Sequence, residues 1–261
     1  MPDLFDMRGK AVLITGGSRG LGRAMAQGFA EAGADVAIVS RKLDACEAAA
    51  HELEALGVRA FPYACHVGRW DEIEPMFEAV WRHFGKVDVV VNNAGMSPLY
   101  PSLGEVSERL FDSVIGVNLK GPFRQAAVAG ERMAQGDGGS IINISSTASL
   151  SPTPGTAFYG AAKAGLTVLS QAFAAAFAPK VRVNTIVVGP FATDVAEHWP
   201  DPPDHARPGF TLAGRRVGLP QDIVTTALYF AADASRYVTG AAVRVDGGGW
   251  GMAAVNRTTD G

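Results

Sequence analysis

The chain has 261 residues, 48 % of them hydrophobic and 19 % charged, and 23 Lys and Arg against 26 Asp and Glu leave a net charge of -3. This suits one α/β domain with a large core, excludes a disordered class, and leaves no electrostatic footprint for nucleic acid. Cys46 and Cys65 form no CxxC pair, the five histidines show no zinc spacing, and no run reaches the roughly 18 apolar residues of a membrane span, so neither a metal nor a membrane partner is expected.

In chain order, AVLIT (11–15) reads as a buried strand, followed by a glycine turn and a helix over 21–32. ADVAIVS (34–40) precedes a helix at 43–56, and RAFPYA (59–64) precedes one at 71–84 that opens on charged Asp71 and stops at Gly85. VDVVVNNAG (87–95) leads into a helix over 107–135, SIINISS (140–146) into one over 157–178, and VRVNTIVV (181–188) closes the series. These β-branched runs lack alternation, as strands buried on both faces should, and their alternation with helices implies right-handed βαβ units and a parallel sheet. Ala192 to Arg215, which contains EHWPDPPDHARPGF, is expected to be an irregular substrate loop or lid. A helix at about 220 and a last strand in AAVRVDGGG follow, and no linker divides a single domain over 1–261. The start MPDLFDMRGK lacks an apolar h-region, which predicts a cytoplasmic protein.

The stretch AVLITGGSRGLG sets a strand, a glycine turn and a helix start in succession. Such a turn lets backbone N–H groups approach a pyrophosphate at the helix N-terminus. The spacing is neither GxGxxG nor a P-loop, because Arg23-Ala24 stands where Lys-Ser/Thr is required. Farther on, YGAAK places Tyr159 and Lys163 at i and i+4, on one helix face. Alone, that pair is more often an ordinary surface contact. If buried beside a cofactor, the ammonium would favour the phenolate and bring the phenol into a working range.

The marks occur in a series: TGGSRGLG at 15–22, VNNAG at 91–95, Asn118 in VNLKGPF, Ser146 in NISS, Tyr159, Lys163, and then GPFAT. In this order they resemble the short-chain dehydrogenase/reductase family, with its TGxxxGxG and YxxxK motifs, over nearly the whole chain. The resemblance implies a Rossmann-like three-layer α/β sandwich with a seven-stranded parallel sheet, a nicotinamide cofactor, and alcohol/carbonyl interconversion. It implies Tyr159 as acid/base with Lys163, Ser146 holding the carbonyl, and Asn118 holding a water on Lys163. Ser145 is the neighbour that could be mistaken for Ser146, but strand alternation turns the two apart.

For the cofactor the resemblance implies Gly16, Ser18, Arg19, Gly20, Leu21 and Gly22 at the phosphates, and Asn93, Ala94 and Gly95 at the adenine ribose and sheet edge. Tyr159 and Lys163 would also touch the cofactor, and Gly189, Phe191 and Thr193 would meet the nicotinamide. The prolines of VGPFAT depart from the family's PGxxxT, which leaves that loop's path open. The second strand ends IVSRK, with Ser40 and Arg41 in place of the acid that selects NAD, and this predicts a preference for NADP(H) over NAD(H). His66-Val67 stands where relatives carry Asp-Val against the adenine. His66 can donate a hydrogen bond or stack, or it can be a plain surface histidine.

The four-residue Tyr–Lys spacing favours a carbonyl/alcohol oxidoreductase over the family's enoyl reductases. Substrate contacts are expected from MSPLYPSL (96–103), from LSPTPGTAF before Tyr159, and from 194–215 with His198, Trp199, His205 and Arg207. A small ketone, keto sugar or keto acid ranks ahead of a 3-oxoacyl thioester on an acyl-carrier protein, and a non-catalytic NADP(H)-binding sensor is the rival of another class. AGLTVLSQAFAAAFA (164–178) is apolar nearly all round, which predicts a helix buried in the core or against a partner, as in a homotetramer or homodimer.

Overall fold

The computed structural model describes residues 4–193 and 217–248. Seven strands form one parallel sheet in the order β3-β2-β1-β4-β5-β6-β7. They are β1 (Ala11–Thr15), β2 (Asp35–Ser40), β3 (Ala60–Ala64), β4 (Val89–Asn92), β5 (Gly139–Ser146), β6 (Val181–Val188) and β7 (Ala242–Val245). The helices are α1 (Gly20–Glu31), α2 (Leu43–Glu54), α3 (Trp70–Phe84), α4 (Glu108–Ile115), α5 (Gly121–Gln135), α6 (Ala157–Phe177) and α7 (Val224–Ala231). The predicted three-layer Rossmann-like fold is observed.

The pleat divides the core. Val12 and Ile14 of β1 pack with Phe29, Leu53 and Phe230 on one face of the sheet. Ala11 and Leu13 pack with Phe77, Val80, Met133 and Phe173 on the other. Such side chains contribute roughly 1.5–3 kcal/mol each when fully buried. All five residues of β1 are buried, as an unalternating run requires, whereas the edge strands β3 and β7 are more exposed. α3 carries Asp71 and Glu72 in its first turn, and Gly85 ends it in the left-handed region at φ 80.

One expectation is corrected. The helix expected over 107–135 is two helices joined by a π-helical turn, Gly116–Lys120. There the Val114 carbonyl takes the side-chain amide of Asn118 at 3.0 Å. α6 turns Leu166, Ser170 and Phe173 to the core, while Val168 is 65 % exposed.

Candidate active site

The strand order reverses between β1 and β4, and the chain leaves the carboxyl ends of six strands into one cleft of about 1760 Å³. Gly16 follows β1, Ser40 ends β2, His66 follows β3, Asn93 follows β4, Ser146 ends β5, and Gly189 follows β6; all line the cleft. So do Ser18, Arg19, Gly20, Leu21, Gly22, Arg41, Val67, Ala94, Gly95, Tyr159, Lys163, Phe191 and Thr193. Of the catalytic and cofactor residues expected from sequence, all of them among the described residues, Asn118 alone is absent from that lining.

The first wall is a backbone cradle. Gly16 and Gly20 have φ of 67 and 55, and a Cβ at Gly22 would stand 2.1 Å from the Gly16 carbonyl oxygen. Only glycine allows this approach. Asn93 Nδ2 donates to the carbonyls of Thr15 and Gly16 at 2.9 and 3.2 Å, while Thr15 Oγ1 accepts from the N–H groups of Asn93 and Ala94. The turn is thereby tied to the end of β4. No side chain caps α1, so its first-turn donors suit a pyrophosphate. Thr193 reaches this wall too, because a Cβ at Gly20 would meet its methyl at 3.6 Å. The loop before it is held by Gly189 N–H on the Val245 carbonyl and by a Phe191–Gly218 bridge, which fixes its path as far as Thr193. The expected lid and its His198, Trp199, His205 and Arg207 fall in 194–215, outside the described residues.

At the end of β2, Ser40 Oγ donates to the Lys42 carbonyl at 3.2 Å and lies 3.0 Å from Cys46 Sγ. Arg41 is exposed on the rim with no ion pair among the described residues. His66 Nδ1 accepts the Gly68 N–H at 3.2 Å, the i+2 bond that an aspartate makes in an Asx-turn.

The second wall carries the reactive groups. Ser145 is buried and donates to the Lys163 carbonyl at 3.0 Å, whereas Ser146 faces the cleft, as alternation predicted. Ser146 Oγ accepts the Ala148 N–H at 3.2 Å, and its hydroxyl hydrogen-bonds the Tyr159 phenol. Lys163 is 3 % exposed; its Nζ donates to the Ile144 carbonyl at 2.8 Å and lies 5.9 Å from the centre of the Tyr159 ring. Burial drops its pKa to about 8.

The phenol does not follow the expected direction. Burial pushes the Tyr159 pKa up, and the Ser146 hydroxyl beside it acts in the opposite sense without prevailing. The ammonium donates to a backbone carbonyl and stands off the ring, and desolvation is the larger influence on the phenol. Asn118 is wholly buried in the π-turn, its Nδ2 donating to the Met96 and Val114 carbonyls and its Oδ1 accepting the Met96 N–H. It ties the loop after β4 to the helical layer.

Two features were missed from sequence. Asn92, Asn143, Ser170 and Thr185 form a buried hydrogen-bonded chain across β4, β5, β6 and α6. The lone polar residues inside VVVN, IINIS and VNTIV were its signal. Tyr100 OH donates to the Pro154 carbonyl at 2.5 Å and accepts the Ala157 N–H at 3.1 Å, joining both expected substrate loops at the start of α6.

A parallel sheet with a glycine cradle at its reversal point, and a serine, tyrosine and buried lysine across the same cleft, defines a nicotinamide-dinucleotide oxidoreductase. A family model described as enoyl-(acyl carrier protein) reductase matches residues 16–249. Sorbose reductase sou1 of Schizosaccharomyces pombe is 36 % identical over 252 residues, 95 % of this chain and 98 % of that protein. The 3-oxoacyl-[acyl-carrier-protein] reductase FabG of Staphylococcus epidermidis is 35 % identical over 242 residues, 92 % and 98 % of the two chains. Among solved structures, the NADPH-dependent 3-quinuclidinone reductase of Rhodotorula rubra superposes with a TM-score of 0.88 at 29 % identity, covering 95 % of each chain. A 7α-hydroxysteroid dehydrogenase complexed with NADH gives 0.90 at 29 %, covering 95 % and 97 %. The chain belongs to the short-chain dehydrogenase/reductase family and is an oxidoreductase acting on CH–OH and carbonyl groups. Among the described residues no helix is long and apolar enough to cross a membrane.

Proposed function

We propose that this chain is an NADP(H)-dependent reductase of a small ketone, keto sugar or keto acid, with Tyr159 as the proton donor and, in reverse, the acceptor. The carrying observation is the meeting of Ser146, Tyr159 and Lys163 across one cleft from the Gly16–Gly22 cradle. A bound nicotinamide supplies or accepts the hydride. Ser146 turns its hydroxyl from the phenol to hydrogen-bond the substrate oxygen, and Tyr159 transfers the one proton that oxygen takes up. Lys163, at a pKa of about 8, is charged at neutral pH and stabilises negative charge left on the phenol. Asn118 holds the loop beneath Lys163, and a water on its carbonyl oxygen would extend the proton path.

We assign the remaining cofactor contacts the roles expected from sequence. Arg41 and Arg19 supply positive charge toward a 2′-phosphate. Ser40 can donate to it only by releasing the Lys42 carbonyl. For the substrate, Ser97, Ser151, Thr153 and Thr156 on the cleft wall offer hydroxyls to a polar carbonyl compound. The similarity to sorbose reductase favours a keto sugar, and the similarity to FabG supports a 3-oxoacyl thioester as the second reading. We propose one cytoplasmic domain over 1–261 with a substrate loop at 192–215. It assembles as a homotetramer or homodimer through the outward side of α6, where Val168 is exposed.

NADPH oxidation against sorbose, simple ketones, keto acids and acetoacetyl thioesters tests the reading. Turnover of a small carbonyl with NADPH ahead of NADH is the expected result. Silence across the panel with tight NADPH binding would replace the enzyme by the sensor. Equal or better efficiency with NADH would overturn the cofactor preference, as would an Arg41→Ala change that leaves NADPH affinity intact.

A further inference from the structure

We propose that His66 presents a hydrogen-bond donor to the purine of the bound dinucleotide, so that this chain binds a 6-oxo purine about as well as adenine, within threefold. The inference rests on the dinucleotide reading above and concerns one residue of that site. A pyrophosphate at the start of α1 and a ribose at the end of β2 carry the base outward, toward the end of β3. β3 lies beside β2 there, with Ala64 opposite Ser40 and the Cys65 N–H on the Ser40 carbonyl at 2.8 Å. His66 and Val67 come next in the chain, and the cleft wall continues through Gly68, Gly116 and Val117.

Hydrogen bonding fixes the state of the imidazole. Nδ1 accepts the Gly68 N–H, so the proton of the neutral ring is on Nε2, and the polar atom left to a ligand is a donor. The ring is held close to that turn, because a Cβ on Gly68 would lie 3.0 Å from its Cε1 and 3.2 Å from its Nδ1. The nearby carboxylate does not replace the missing acceptor. Glu72 accepts the His66 N–H at 2.6 Å and pairs with Arg69 at 2.8 Å, and it is not part of the cleft wall.

A donor and an acceptor select opposite purines. Adenine shows a 6-amino donor beside its N7 acceptor, whereas a 6-oxo purine shows two acceptors, O6 and N7. An N–H donor therefore fits N7 of either base and gains O6 in the second. An aspartate would accept from the 6-amino group and face O6 with like charge.

The test is equilibrium titration of intrinsic fluorescence with NADPH and with its hypoxanthine analogue, on the wild-type chain and on His66→Asp and His66→Asn. In the asparagine variant Oδ1 can take the Gly68 N–H and Nδ2 presents a donor, so it reproduces the chemistry of the histidine. The expected ratio of dissociation constants, analogue over NADPH, is below about 3 for the wild type and His66→Asn. It rises at least tenfold in His66→Asp, since a charged hydrogen bond contributes about 1.5–3 kcal/mol. A wild-type ratio of three or more, or a smaller rise in His66→Asp, overturns the assignment. Should His66→Asp not fold, a ratio of three or more in the wild type or in His66→Asn overturns it alone. Failure of the wild type to bind either nucleotide would instead overturn the dinucleotide reading beneath it.

Discussion

Replacement of Lys163 by methionine is expected to stabilise the protein while removing its activity. The ammonium is almost wholly buried, and its pKa falls from 10.5 to about 8 because water is excluded. That difference of about 2.5 corresponds to a cost of about 3 kcal/mol for holding the charge at neutral pH. Loss of the bond from Nζ to the Ile144 carbonyl leaves that carbonyl short of a donor, at about 1–2 kcal/mol. A net gain of about 1–2 kcal/mol at pH 7 should remain. The sign of the pH dependence is also fixed. Between pH 8 and 10.5 the unfolded lysine keeps its proton while the folded one releases it, so the cost is complete below pH 8 and is relieved as pH rises through that window. Urea unfolding of both proteins at pH 7 and at pH 10 measures the gap, which should shrink at the higher pH. A variant less stable than the wild type at pH 7, or a gap that does not change with pH, would refute the burial argument.

Gly22→Ala should drive its Cβ into the Gly16 carbonyl and Asn93 Nδ2, shift the cradle, and weaken NADPH binding by more than about tenfold, as read by fluorescence titration. Its stability should also fall by about 1–3 kcal/mol through the strained Asn93 bonds. Light scattering at micromolar concentration should give a dimer or tetramer mass, reduced by Val168→Glu on the outward side of α6; a monomer mass for the wild type would contradict the assembly.

The alternation of β-branched runs and helices made the sheet legible, because strands buried on both faces have no polar side to disguise. AVLIT and VRVNTIVV match β1 and β6 residue for residue. The glycine turn was legible for a similar reason: close backbone approach leaves few residues to choose from. The π-turn at Asn118 was not, since its extra residue keeps the helical pattern of its neighbours. The direction of the Tyr159 shift was also hidden. Spacing shows that a lysine is near, but desolvation depends on what the rest of the chain places around the phenol. Asn143 was hidden in an apolar run, and its bonding to Asn92 and Ser170 requires the strand register that only the fold supplies.

The most direct measurement is single-turnover reduction by Tyr159→Phe, alongside its NADPH binding. The account predicts unaltered binding, because the cradle is untouched, and a rate lowered by about 10²–10⁴-fold, the contribution of a positioned proton donor. A rate within a few fold of the wild type would contradict the assignment and leave Tyr159 as a packing residue in the wall of the cleft.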